Sequence, residues 1–91
     1  METKPFDTAD YLDSPEMIEE YLNAAFETAD PRLIKMALGN AARAVGMSEI
    51  AGRSGLNRQN LYRALSEEAD PRLETLIGVI RALGLRLSVA A

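Results

Sequence analysis

The run Ile50-Ala51-Gly52-Arg53-Ser54-Gly55-Leu56-Asn57-Arg58-Gln59-Asn60-Leu61 leaves its backbone few ways to fold. Gly55, four residues after Ala51, offers the left-handed conformation that closes a helix at least steric cost. Asn57 is a helix N-cap residue, and Leu61 and Leu65 then recur at the i, i+4 spacing of one helix face. Two helices this short, joined by so tight a turn, must cross closely, and Ala51 is small enough to sit at the crossing. Ser48 is expected to cap the first helix, Ile50 and Ala51 to turn inward, and Leu56 to plug the turn.

Helix punctuation continues on both sides. Ser14-Pro15-Glu16 combines a cap, a proline suited to the first helical position and an acid suited to the positive helix end. It predicts a helix from about 15 to 29 that buries Ile18, Leu22, Ala25, Phe26 and Ala29. Asp30-Pro31 starts the next, with Ile34, Ala37, Leu38, Ala41 and Val45 inward. Gly39 inside it costs about 1 kcal/mol relative to Ala, so a close backbone contact is expected there. Ala29-Asp30-Pro31-Arg32-Leu33 recurs as Ala69-Asp70-Pro71-Arg72-Leu73. The residues that follow do not repeat, so the match reads as shared helix-start chemistry. From Pro71, the residues Leu73, Leu76, Ile77, Ile80 and Leu83 form an apolar stripe that Gly84 closes. Leu85-Arg86-Leu87-Ser88-Val89 then alternates with period two, the pattern of a short strand, which needs a partner strand from the N-terminal arm or another chain.

The expected architecture is a single all-α domain over residues 1–91. It has an extended N-terminal arm (1–13), a helical core of five helices (14–84) with a helix-turn-helix at 47–66, and a C-terminal β-strand (85–91). A chain of 91 residues supports one core, and 47% hydrophobic with 26% charged residues is an ordinary globular balance. No apolar run approaches the roughly 18 residues of a membrane span, and no secretory signal stands at Met1-Glu2-Thr3-Lys4-Pro5, so the cytoplasm is the expected location. With no cysteine and no histidine, disulfides, thiol nucleophiles, zinc fingers and the commonest general base are excluded. Asp7, Asp10 and Asp13 stand near one another, yet no Gly-rich phosphate loop or paired-ligand spacing accompanies them. No enzymatic activity, metal or cofactor is expected.

The net charge of −4 conceals a polarised chain. Residues 1–30 carry nine acids against Lys4, whereas Arg32, Lys35, Arg43, Arg53, Arg58 and Arg63 face only Glu49 within residues 31–63. With Leu61 and Leu65 buried, Arg58, Gln59, Asn60, Tyr62 and Arg63 must point outward. Gln and Asn pair bidentately with adenine, Arg with guanine, and arginines also hold phosphates. An ordinary surface helix is rich in Glu and Lys, but this one has no acid until Glu67. The expected DNA-binding set is Ser48, Arg53, Asn57, Arg58, Gln59, Asn60, Tyr62 and Arg63, with Arg43 as a further backbone contact. A two-fold dimer, joined through residues 85–90, would present two such helices to a palindromic operator in double-stranded DNA.

The chain also resembles the addiction-module antidote proteins, antitoxins with a Xre/Cro-type, HigA-like helix-turn-helix of the lambda-repressor-like class. The resemblance runs through Phe6-Asp7, Tyr11-Leu12-Asp13-Ser14-Pro15-Glu16, Tyr21-Leu22-Asn23-Ala24-Ala25 and Ala42-Arg43-Ala44. It continues through Gly46-Met47-Ser48-Glu49-Ile50-Ala51, Gly55-Leu56-Asn57-Arg58, Leu61-Tyr62-Arg63-Ala64-Leu65-Ser66 and Ala82-Leu83-Gly84-Leu85. It implies an antitoxin of a type II toxin-antitoxin module. Such a protein neutralises a small basic ribonuclease-like toxin of the RelE/ParE-like class and represses its own operon as a homodimer. The acidic first 30 residues complement a basic partner and serve solubility equally well. The alternative is a stand-alone Xre-type transcriptional repressor, which shares every DNA-facing residue and has no toxin.

Overall fold

The computed structural model describes residues 7–91, and among these it contains five α-helices, one short 3-10 turn and no strand. The helices are α1 (Pro15–Glu27), α2 (Pro31–Val45), α3 (Met47–Ser54), α4 (Arg58–Ala64) and α5 (Leu73–Ala82). Two starts are built as their sequences require. Ser14 Oγ accepts from the Met17 amide at 3.2 Å ahead of Pro15, and Asp30 Oδ1 accepts from the Arg32 amide at 2.9 Å ahead of Pro31. These bonds satisfy amides that the first helical turn leaves without a partner.

The core is knit from four helices at once. Leu38 of α2, Ile50 of α3, Leu61 of α4 and Val79 of α5 are its largest fully buried side chains, and α1 adds Ile18, Leu22 and Ala25. Ala37, Ala41 and Ala42 are buried on α2, while Ile34 and Val45 pack half-buried against the cluster. Burying a Leu, Ile or Val side chain is worth about 1.5–3 kcal/mol, so these few residues carry much of the fold.

Several sequence expectations give way for identifiable reasons. α1 ends at Glu27, and Ala29 is exposed in a left-handed backbone at φ 55° rather than buried on the helix face. Pro31 holds Asp30 extended (φ −95°, ψ 112°), so the reversal between α1 and α2 falls on Ala29. Gly39 has no atom within 4 Å of where a Cβ would stand, so the expected close contact is absent. The N-terminal arm is not extended throughout, because Thr8–Tyr11 forms the 3-10 turn, capped by Asp7 accepting from the Ala9 amide. Residues 1–6 of that arm lie outside the described residues.

The second Asp-Pro pair does not start a helix. α5 begins at Leu73, after Arg72, with no side-chain cap. Just ahead of this pair the link is tied across the fold, where Lys35 on α2 is buried and its Nζ donates to the carbonyls of Glu67 (2.9 Å) and Ala69 (2.5 Å). That clamp fixes the link from α4 against α2. α5 is also rotated relative to its expected stripe. Val79 is fully buried, Leu76, Ile80 and Leu83 face the core, and Leu73 and Ile77 are exposed. Gly78 lies where α5 crosses α3, and a Cβ there would stand 3.7 Å from the Ser54 carbonyl oxygen, an ordinary van der Waals distance.

Gly84 (φ 82°) closes α5 as expected, with its amide bonded to Arg81 O (2.9 Å) and that of Leu85 to Ile80 O (3.1 Å). Residues 85–91 then follow without regular structure, so the expected β-strand over 85–91 is not formed. Leu85 rests half-buried on the core, but Leu87 and Val89 are exposed. No strand among the described residues lies beside them, and a lone strand has no ladder to satisfy its backbone.

Candidate nucleic-acid interface

α3 starts one residue ahead of Ser48. Gly46, at φ 128°, reverses the chain directly after α2 and takes the cap position, leaving Ser48 exposed in the first turn of the helix. Gly55 (φ 76°) ends α3 in the left-handed region, and the Leu56 amide bonds back to Ala51 O at 3.0 Å. Leu56 is half-buried against the core, and Ala51 is buried where the two short helices approach. Asn57 is extended and its side-chain oxygen accepts from the Asn60 amide at 2.7 Å, which starts α4. α4 stops at Ala64, shorter than its expected span to residue 66, because Leu65 becomes the cap and the Ser66 hydroxyl bonds to Arg63 O at 2.8 Å.

Leu61 and Leu65 anchor α4, and the remaining face is open. Arg58, Gln59, Asn60, Tyr62 and Arg63 are all exposed. The Arg58 guanidinium lies over the Tyr62 ring, 5.6 Å from its centroid, with Nη2 3.4 Å from the hydroxyl. Among the described residues, the side chains of Gln59, Asn60 and Arg63 have no hydrogen-bond or ion-pair partner, so their polar groups are available to a ligand. The Asn57 side-chain oxygen, by contrast, is committed to its cap. The face therefore presents amide and guanidinium groups with no carboxylate among residues 58–66, the chemistry that matches base edges and phosphates.

The other bases of the positive segment are mostly engaged. Arg53 Nη1 donates to Ala82 O at 3.0 Å and Nη2 to the Glu49 carboxylate, which ties α3 to the end of α5. Arg43 donates through Nη2 to Asp7 Oδ1 at 2.9 Å and to Asn40 Oδ1. Arg32 lies 4.0 Å from Asp30, and Lys35 is buried in its clamp. Arg58 and Arg63 are the exposed bases of this segment without an acidic partner among the described residues.

Two features escaped the sequence. Lys35 was legible in principle, since it stands one turn before Leu38 and two turns before Ala42 on the inward side of α2. The network of Asp7, Arg43, Asn40 and Tyr21 left no signal, because its members come from three separate elements. Asp7, Asp10 and Asp13 do not converge, and among the described residues no three acids gather as a metal ion requires. Among the same residues, no helix is long and apolar enough to cross a membrane.

Comparison with known proteins gives two matches. A family model described as "probable addiction module antidote protein" matches residues 2–91. An uncharacterized protein of Haemophilus influenzae is 43% identical over 86 residues, covering 94% of this chain and 89% of that one. No solved structure matches significantly.

Proposed function

This chain belongs to the family of probable addiction module antidote proteins, and from that membership we propose a protein with two linked tasks: neutralising a toxin and repressing its own operon. An antitoxin role and a toxin partner come with the family. The partner is a small basic ribonuclease-like toxin of the RelE/ParE-like class, which the nine acids of residues 1–30 complement in charge.

For the second task, α3 and α4 act as a helix-turn-helix. α4 enters the major groove, where Gln59 and Asn60 read base edges and Arg58, Tyr62 and Arg63 contact bases and phosphates. Ser48 and Arg43 contact the backbone, and Arg53 adds a phosphate contact through its remaining N–H groups while holding α3 in place. Asn57 positions the helix and presents its amide to the same strand. A homodimer sets two α4 helices one helical turn of DNA apart, with the segment 85–90, exposed beyond Leu85, as the joint. The observation that carries this reading is the exposed, carboxylate-free face of α4 fixed on the buried Leu61 and Leu65.

The test is to express the adjacent reading frame of the native operon alone and together with this protein, scoring growth and co-purification. The purified protein is then titrated against the DNA upstream of the pair. The reading expects growth arrest, its rescue by a stable complex, and binding of the upstream DNA. A harmless neighbour with intact DNA binding leaves a stand-alone repressor, and absence of DNA binding removes the second task.

A further inference from the structure

Arg43 is the place where the acidic N-terminal segment meets the proposed DNA-facing surface. It lines a shallow cleft of about 290 Å³ together with Met47 of α3 and Tyr62 and Ser66, so Arg43 shares a cleft with Tyr62 of the open α4 face. Its Nη2 is held by Asp7 Oδ1 at 2.9 Å. Asp7 is itself fixed by the Ala9 amide (3.1 Å), and Asn40, which also takes Arg43, is oriented by its Nδ2 donating to the Tyr21 hydroxyl at 2.9 Å. The carboxylate therefore supplies Arg43 with the kind of oxygen that a DNA phosphate would bring. Both side chains of the pair remain about 40% exposed, and an ion pair so exposed is weak enough to exchange.

We propose that Asp7 is a built-in competitor of DNA phosphate for Arg43: the free protein holds its own backbone-contacting arginine, and DNA must displace the carboxylate. The inference rests on the DNA-binding reading above. Such a linkage is reciprocal. A cationic partner that captures Asp7, with its neighbours Asp10 and Asp13, raises DNA affinity by the factor by which DNA raises that partner's affinity. Because a phosphate carries no sequence information, the effect is the same on specific and non-specific DNA.

The test is a double-mutant cycle on the full chain with Asp7→Asn, Arg43→Ala and both together. Binding is measured against a duplex from upstream of its own gene and a scrambled duplex of equal length. Asn keeps an acceptor for the Ala9 amide, so the turn at Thr8–Tyr11 is retained, and thermal melts check each variant. Asp7→Asn is expected to tighten both duplexes roughly two- to fivefold and to have no effect once Arg43 is Ala. An equal gain in both backgrounds overturns the proposal, because it marks general repulsion of phosphates by the acid. No gain in either background also overturns it while the DNA reading stands. Failure of every form to bind either duplex removes the DNA reading and the proposal together.

Discussion

The Lys35 ammonium on α2 donates to the Ala69 carbonyl, 34 residues away in the link between α4 and α5. With a second bond to Glu67 O, this is the buried polar tie that holds the link against α2. Lys35→Met retains most of the stem and removes both bonds. A loss of about 1–3 kcal/mol is expected, measured as a shift of the urea midpoint, with DNA contacts on α4 weakened only through stability.

Gly39→Ala is expected to stabilise the protein by up to about 1 kcal/mol. The position is inside α2 and an added methyl meets nothing within 4 Å. Calorimetry checks it, and a lower melting temperature would mean that the surroundings are tighter than described.

The two copies of Ala-Asp-Pro-Arg-Leu respond oppositely to glycine. Ala29 is left-handed at φ 55° and Ala69 is not. Ala29→Gly relieves a conformation costing about 1–2 kcal/mol while loosening the unfolded chain, for a net gain of up to about 1 kcal/mol. Ala69→Gly carries only the unfolded-state penalty and loses about 0.4–1 kcal/mol.

Alanine at Gln59 or Asn60 is expected to cost about 1–3 kcal/mol of binding to the upstream DNA and to relax specificity. Alanine at Arg63 is expected to weaken binding and reduce its salt dependence. With about six phosphate contacts per dimer, the wild-type log–log salt slope is near −5. Fluorescence anisotropy across salt concentrations reads all three, and a flat salt response contradicts the DNA-binding reading.

Arg53→Ala combines two effects. Loss of its ties to Ala82 O and Glu49 lowers the melting temperature, and affinity falls alike on all DNA sequences. A variant with unchanged melting and altered sequence preference would instead place Arg53 on a base.

Local chemistry was readable wherever one stretch of chain decides its own geometry. Ser14, Asp30, Gly55, Asn57 and Gly84 each mark an end that the structure builds at that residue. The outward set from Arg58 to Arg63 followed from Leu61 and Leu65 alone. Gly46 taking the cap expected of Ser48 and Ala29 turning left-handed are local misses, and the rest of what was not readable depends on distant partners. Lys35 ties Glu67 and Ala69 to α2 ahead of Asp70-Pro71, the packing of α5 on the core buries Val79 in place of Ile77, and Asp7 restrains Arg43. The 85–91 segment has strand periodicity and lacks only the second strand that would turn periodicity into structure.

Leu38, Ile50, Leu61 and Val79 come one from each of four successive helices into a single cluster. A helix that opened would leave its gap in that cluster, and amide hydrogen exchange in α2 to α5 is expected to report openings that reach it. α4 hangs from that interior through the fully buried Leu61. Under the proposed DNA-binding reading, it meets the groove as a preformed edge, with little ordering entropy left to lose on contact.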